Sequence, residues 1–143
     1  MDINGKLKEY ECFIEDKLKR DLRDIELLLN SKAAQCEEWN ELKTMVGAIK
    51  DHRTKDRDMQ LQFELGNGVA AFGSISDYET TFVDVGLGYL LEMQPNEAGK
   101  YADIRLRLLQ KEMLHLRELA VGVKVRIKMV LLAIGELQAS LNR

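Results

Sequence analysis

From residue 6 to residue 50, apolar residues recur at three- and four-residue steps, which predicts one long helix buried along a single seam. With Leu7, Ile14, Asp21, Leu28, Gln35, Leu42 and Ile49 at d, the a positions are Glu11, Leu18, Ile25, Lys32, Trp39 and Val46. Nine of these thirteen positions are apolar, and Leu22, Leu29 and Cys36 at e widen the stripe beside the polar exceptions. The last segment is cleaner. Its d series is Ala102, Leu109, Leu116, Val123, Val130 and Leu137, and its a series is Leu106, Met113, Ala120, Ile127, Ile134 and Leu141. All twelve positions are apolar, a strong coiled-coil register. Gly99, Gly122 and Gly135 lie off that seam and lower helix propensity without breaking it.

Between the helices the period falls to two. Met59, Leu61, Phe63 and Leu65 alternate with Gln60, Gln62 and Glu64, the pattern of a half-buried strand. Gly66-Asn67-Gly68 is a hairpin turn, and residues 69–75 form the return strand. Ser76-Asp77-Tyr78-Glu79 is a polar connection to a third strand at 80–85, then Gly86-Leu87-Gly88 turns into a fourth at 89–93. The charge run from Asp51 to Asp58 reads as the frayed end of the first helix plus a linker. Pro95 suits a first helical turn, where its missing N–H has no partner to lose, with Gln94 or Asn96 as the cap. The predicted boundaries are a helix over 1–52, hairpins over 59–93 and a helix over 95–143, forming one domain over 1–143. For the seams to meet, the helices must run antiparallel. The predicted class is therefore α+β, an antiparallel two-helix coiled coil with two β-hairpins at the bend.

A single proline in 143 residues and 31% charged residues agree with long helices rather than a large globular core. No run of about 18 uncharged apolar residues occurs, so no membrane span is expected. Residues 1–8 lack the apolar core of a secretory signal. The net charge of −3 argues against a basic nucleic-acid binder. Charge is also segregated: nine basic and eleven acidic residues over 1–50, three and eight over 51–95, nine and five over 96–143. The two helices thus have opposite net charge, compatible with pairing, although exposed ion pairs are individually weak. Two small hairpins are marginal alone and have unpaired edges, so partners are expected to complete them.

Little in the chain suggests catalysis. Cys12 and Cys36 lie about 36 Å apart along one helix at 1.5 Å per residue, so they read as reduced thiols. His52 and His115 have no metal-ligand spacing, and neither a metal nor a cofactor is expected. The Gly-x-Gly elements join strand to strand rather than strand to helix, so they read as turns and not as phosphate cradles. Ser31, Ser74, Ser76 and Ser140 have no nucleophile elbow around them, and no enzymatic activity is expected. Arg105, Arg107, Lys111, Arg117, Lys124, Arg126 and Lys128 make the last helix basic. Glu112 and Glu118 interrupt that face, which reads as solvated rather than phosphate-binding. Trp39 and Met113 read as seam packing.

Val83-Asp84-Val85-Gly86-Leu87-Gly88-Tyr89, followed by Glu92, closely resembles the hairpin signature of the α-type prefoldin subunits. Tyr10-Glu11, Phe13-Ile14, Asp16, Leu18 and Arg20-Asp21-Leu22-Arg23 are similar to the opening helix of a member found in the prefoldin-like complex. The resemblance covers essentially the whole chain. Gln94-Pro95 departs from the small hydroxyl cap common in the family, and Val69-Ala70-Ala71 is less bulky than usual. The resemblance implies a non-catalytic subunit, cytoplasmic and nuclear, in a hetero-hexamer with β-type subunits and a second α-type subunit. Such a complex binds unfolded or assembling client proteins at its coil ends. No membrane or nucleic-acid contact is implied. Assembly contacts are then expected from Leu61, Phe63, Leu65, Gly66, Gly68, Phe72, Val83, Val85, Gly86, Gly88, Tyr89 and Leu91. Client contacts are expected from Leu7, Tyr10, Phe13, Ile134, Leu137 and Leu141 at the coil tips. The alternative is a coiled-coil scaffold or transcription cofactor that recruits partner proteins. A plain homodimeric tether would leave the repeated hairpins without a purpose.

Overall fold

The structure, a computed structural model, describes residues 2–55, 58–75 and 79–143. Asp56 and Arg57 of the charge run, and Ser76, Asp77 and Tyr78 of the predicted connection, lie outside the described residues. The elements follow in the order α1 (Ile3–Phe13), a π-turn (Ile14–Leu18), α2 (Lys19–Thr54), β1 (Met59–Gly66), β2 (Val69–Ile75), β3 (Thr81–Gly86), β4 (Tyr89–Met93) and α3 (Pro95–Leu141). Asp2 caps α1, its carboxylate accepting from the Gly5 N–H at 3.0 Å. Pro95 occupies the first position of α3, and the Ala98 N–H donates to the Gln94 carbonyl at 2.9 Å. The first half of the charge run is helical: α2 runs to Thr54, two residues past the expected boundary.

Two compact units are formed, one from residues 1–35 with 109–143, the other from 36–108. In the first, Ile14, Leu18, Val123 and Ile134 make the buried core, with Leu7, Tyr10, Leu22, Ile25, Ile127 and Val130 packed around it. Leu18 is 2% exposed. Residues early in α1 pack on residues late in α3, and Lys32 Nζ lies 2.9 Å from the Glu112 carboxylate. The helices of this unit therefore run antiparallel. The seam lysine finds its counter-charge on the facing helix.

A π-turn interrupts the helix expected over 1–52, and one apolar seam position, Leu28, is corrected. At the π-turn the Lys19 N–H donates to the Ile14 carbonyl, five residues back. Ile14 and Leu18, the d and a positions at the two ends of the turn, both face the core. Beyond it the inward residues Leu18, Leu22, Ile25 and Leu29 keep the seven-residue repeat, Leu18 to Ile25 at a and Leu22 to Leu29 at e. Leu28, expected at d, is 51% exposed, and Leu29 takes the inward place.

The second unit has a core of Val46, Val83, Met93 and Ala98, with Trp39, Leu42, Val85 and Tyr101 against it. Ala98 and Ala102 are fully buried, so small residues allow α2 and α3 close approach here. Trp39 packs as a seam residue, edge-on to Tyr101 with ring centroids 5.4 Å apart. The Arg105 guanidinium lies 5.9 Å from the Trp39 ring centre, a cation–π arrangement for a side chain whose Nε is buried without a hydrogen-bond partner. Lys43 Nζ approaches Asp103 at 2.6 Å. That hydrogen bond holds the Asp103 carboxyl below its ordinary value, helped by the positive charges of Lys43 and Arg107.

Candidate assembly interface

The strands make two separate two-stranded antiparallel sheets, β1 with β2 and β3 with β4. Each turn is built on three consecutive residues of positive φ, Gly66-Asn67-Gly68 and Gly86-Leu87-Gly88. Those conformations give the tight right-handed reversal that two-residue hairpins need. The register slips at Glu64/Gly66 and again at Asp84/Gly86, so a bulge precedes each turn. At the second bulge the Asp84 carboxylate accepts from the Gly86 N–H at 2.9 Å. This contact fixes the bend locally.

Alternation along the strands decides what each hairpin presents. Pairing sets Val83 opposite Leu91 and Thr81 opposite Met93, while Phe82 faces Glu92 and Asp84 faces Leu90. Val83 and Met93 turn onto the helices, Val83 being 3% exposed, and Val85 packs against the same cluster. These residues anchor the second hairpin to α2 and α3. Phe82, Tyr89, Leu90 and Leu91 remain outside, each more than half exposed. Phe82 and Leu90, which the sequence reading did not name, thus add to the surface that Tyr89 and Leu91 offer.

The first hairpin has less support. Among the described side chains, none of β1 or β2 is buried. Leu61 is half-buried, Phe63 and Leu65 are exposed, and Phe72 stands 84% exposed opposite Gln62 on the face that carries Gln60 and Glu64. The Phe63 ring covers Gly73, where a Cβ would sit 3.0 Å from the ring. Among the described residues every strand in both sheets has one edge without a ladder partner, and apolar side chains line both faces. Unpaired edges beside exposed aromatic and aliphatic residues form a surface that pairs readily with another chain.

Leu87 is the residue that sequence reasoning passed over. It has φ 56° in a position that favours glycine or asparagine, and its side chain is 97% exposed. A leucine flanked by glycines, where the first turn has asparagine, is the signal that could have found it. Leu87→Asn is expected to stabilise the isolated chain by about 1 kcal/mol, because asparagine tolerates the left-handed region at lower cost. A urea titration monitored by circular dichroism measures it; an unchanged or lowered midpoint contradicts the strain.

The predicted coil-tip residues separate into two groups. Ile134 is buried, and Leu7 and Tyr10 pack on the same core. Leu137 is half-buried, whereas Phe13 and Leu141 are each 46% exposed. In the same unit, Ile14, Ile127, Leu131 and Ile134 form the apolar part of a groove of about 410 Å³ that Glu11, Glu15 and Lys19 also line. Among the described residues no helix is long and apolar enough to cross a membrane.

Known proteins bring this geometry to a family. The prefoldin subunit profile matches residues 18–140, spanning both helices and both hairpins. The chain belongs to the prefoldin family. Full-length relatives agree: it is 28% identical over 137 residues to the UXT homolog of Nematostella vectensis, covering 96% of this chain and 86% of that one. Human protein UXT matches to the same extent, and rat protein UXT is 26% identical over 140 residues. A filamentous PFD from Methanocaldococcus jannaschii, solved by cryo-EM, shares the fold with a TM-score of 0.62 at 15% identity, covering 81% of this chain and 93% of that one. Its two hairpins and its UXT relatives mark the chain as an α-type, prefoldin-like protein with the α+β coiled-coil fold expected from its pattern. The family is one of non-enzymatic subunits, and no catalytic family is indicated.

Proposed function

We propose that this prefoldin-family chain is a non-catalytic subunit of a prefoldin-like hetero-hexamer with β-type subunits and a second α-type subunit, binding unfolded or assembling proteins. One observation carries the reading: two separate two-stranded sheets leave their edges unpaired and their apolar side chains exposed. Strand addition from neighbouring subunits would pair those edges and cover Phe72, Phe82, Leu90 and Leu91. Leu87 then serves as a turn-tip contact, a role that explains a strained and exposed leucine. The oligomeric archaeal fold neighbour supports assembly through prefoldin subunits.

Client binding falls to the other unit. Phe13, Leu141 and the groove lined by Ile127 and Leu131 offer exposed apolar surface suited to weak, unselective grip. Ile134, Leu7 and Tyr10 act instead as the core that holds this end together. The alternative reading, a scaffold or transcription cofactor, has no observation of its own in this fold.

Co-expression with β-type prefoldin subunits, followed by native mass spectrometry, tests assembly. A defined hexamer is expected only with those partners. A lone chain that stays monomeric, with its hairpin amides protected from exchange and no affinity for β-type chains, would overturn the proposal. Aggregation suppression by the assembled complex tests client binding, which Phe13→Glu with Leu141→Glu is expected to abolish while the hexamer persists.

A further inference from the structure

The distal half of α3 has two apolar faces, and only one has a function in the fold. Its seam residues, Val123, Ile127, Val130 and Ile134 among them, face the core of the first unit. At 3.6 residues per turn, Leu114, Val121, Val125, Met129 and Leu132 fall within an arc of about 80°, roughly opposite that seam. They are between 51% and 63% exposed. Single exposed leucines are ordinary on protein surfaces, but five on one arc over about 27 Å of helix form a continuous stripe. Of the residues from 114 to 132 in that arc, only Glu118 is polar.

The rim of the stripe is basic. Arg117, Lys124 and Lys128 line one side, with Arg126 on the other, and all are exposed. Glu118 is the one acidic residue from 114 to 132. An amphipathic helix recognises such a surface by laying its own i, i+3, i+4, i+7 residues along the apolar stripe, and its flanking charges choose the partner. We infer that this outer face of α3 is a docking site for an acidic amphipathic helix of about five turns. A second copy of this chain fits poorly, because the same face would bring four cations against four cations with one glutamate on each side. A lipid surface also fits poorly, since the stripe is narrow, contains an acid and has no aromatic residue to seat at the interface. The inference is independent of assembly through the hairpins.

The test uses the full chain and a fluorescein-labelled 18-residue peptide with a leucine stripe flanked by glutamates, followed by anisotropy. A peptide with the same leucines and flanking lysines is the comparison. The acidic peptide is expected to bind at least tenfold more tightly, with affinity falling as salt rises. Val125→Glu with Met129→Glu, exposed positions that leave the helix intact by circular dichroism, is expected to weaken it at least tenfold. Arg117→Glu with Lys128→Glu is expected to shift the preference toward the lysine peptide. Phe72→Lys with Leu90→Lys is expected to leave peptide binding unchanged, which separates this site from the hairpins. Equal binding of the two peptides, or no effect of the Val125/Met129 variant, overturns the proposal. So does self-association that the same variant abolishes in sedimentation velocity, or co-sedimentation with phosphatidylserine vesicles that it abolishes in place of peptide binding.

Discussion

With Phe72→Lys and Leu90→Lys together, the chain is expected to keep its fold and lose its association with other prefoldin subunits. Both side chains are largely solvent-exposed in the isolated chain, so removing them should change its stability by no more than about 0.5 kcal/mol each. Lysine at 90 stands directly across from Asp84, and lysine at 72 lies near Glu64, so the new charges have opposite charges nearby. In an assembled sheet the same side chains become anchors. Truncating a buried interface anchor typically costs about 2 kcal/mol or more, so two together lower affinity on the order of a thousandfold, before the cost of burying two ammonium groups. Native mass spectrometry with β-type partners reads the loss, and circular dichroism reads the retained fold. Unchanged assembly would show that the hairpin faces are not the interface. Unfolding of the lone variant would show that these residues hold the hairpins together within one chain.

Leu18→Ala is expected to destabilise the first unit by about 2–5 kcal/mol, the range for emptying a well-packed leucine site. Leu18 sits with Ile14, Val123 and Ile134, and no neighbour can collapse into its place without moving a helix. Leu28→Ala supplies the contrast. The d position that the pattern predicts for Leu28 would put it on the seam and make the two substitutions comparable. Leu28 is half exposed with Leu29 turned inward beside it, so its loss should cost no more than about 0.5 kcal/mol. Urea midpoints of the two variants decide between the registers. A large loss at Leu28, or a small one at Leu18, would return Leu28 to the seam and contradict the observed packing.

Much of this fold was readable because its elements have clean periods. Twelve apolar a and d positions in α3 admit one helical face, and nearly all of them are buried or half-buried, Leu141 at the frayed end being the exception. The hairpins were equally plain, since Gly-Asn-Gly and Gly-Leu-Gly between alternating runs demand positive φ at the turns. Seam register in the first helix was less legible. Leu28 at d and Leu29 at e are equally apolar, and a period cannot show which of two adjacent leucines turns inward. The assembly site was legible as a region, not residue by residue. Val83 and Leu91 are directly paired on neighbouring strands, yet one is buried against the helices and the other lies largely in solvent.

Local chemistry alone therefore determined where this chain is helix, where it is strand and where it turns, because helical period, strand alternation and glycine-dependent turns all act over a few residues. The packing of helix on helix and hairpin on helix decided the rest. It put Leu29 inward in place of Leu28, set Val83 and Met93 as anchors, and left Phe72, Leu87 and Leu90 in solvent with open strand edges beside them. Burial depends on which surfaces meet, and those meetings join residues far apart in the chain, which no local pattern records.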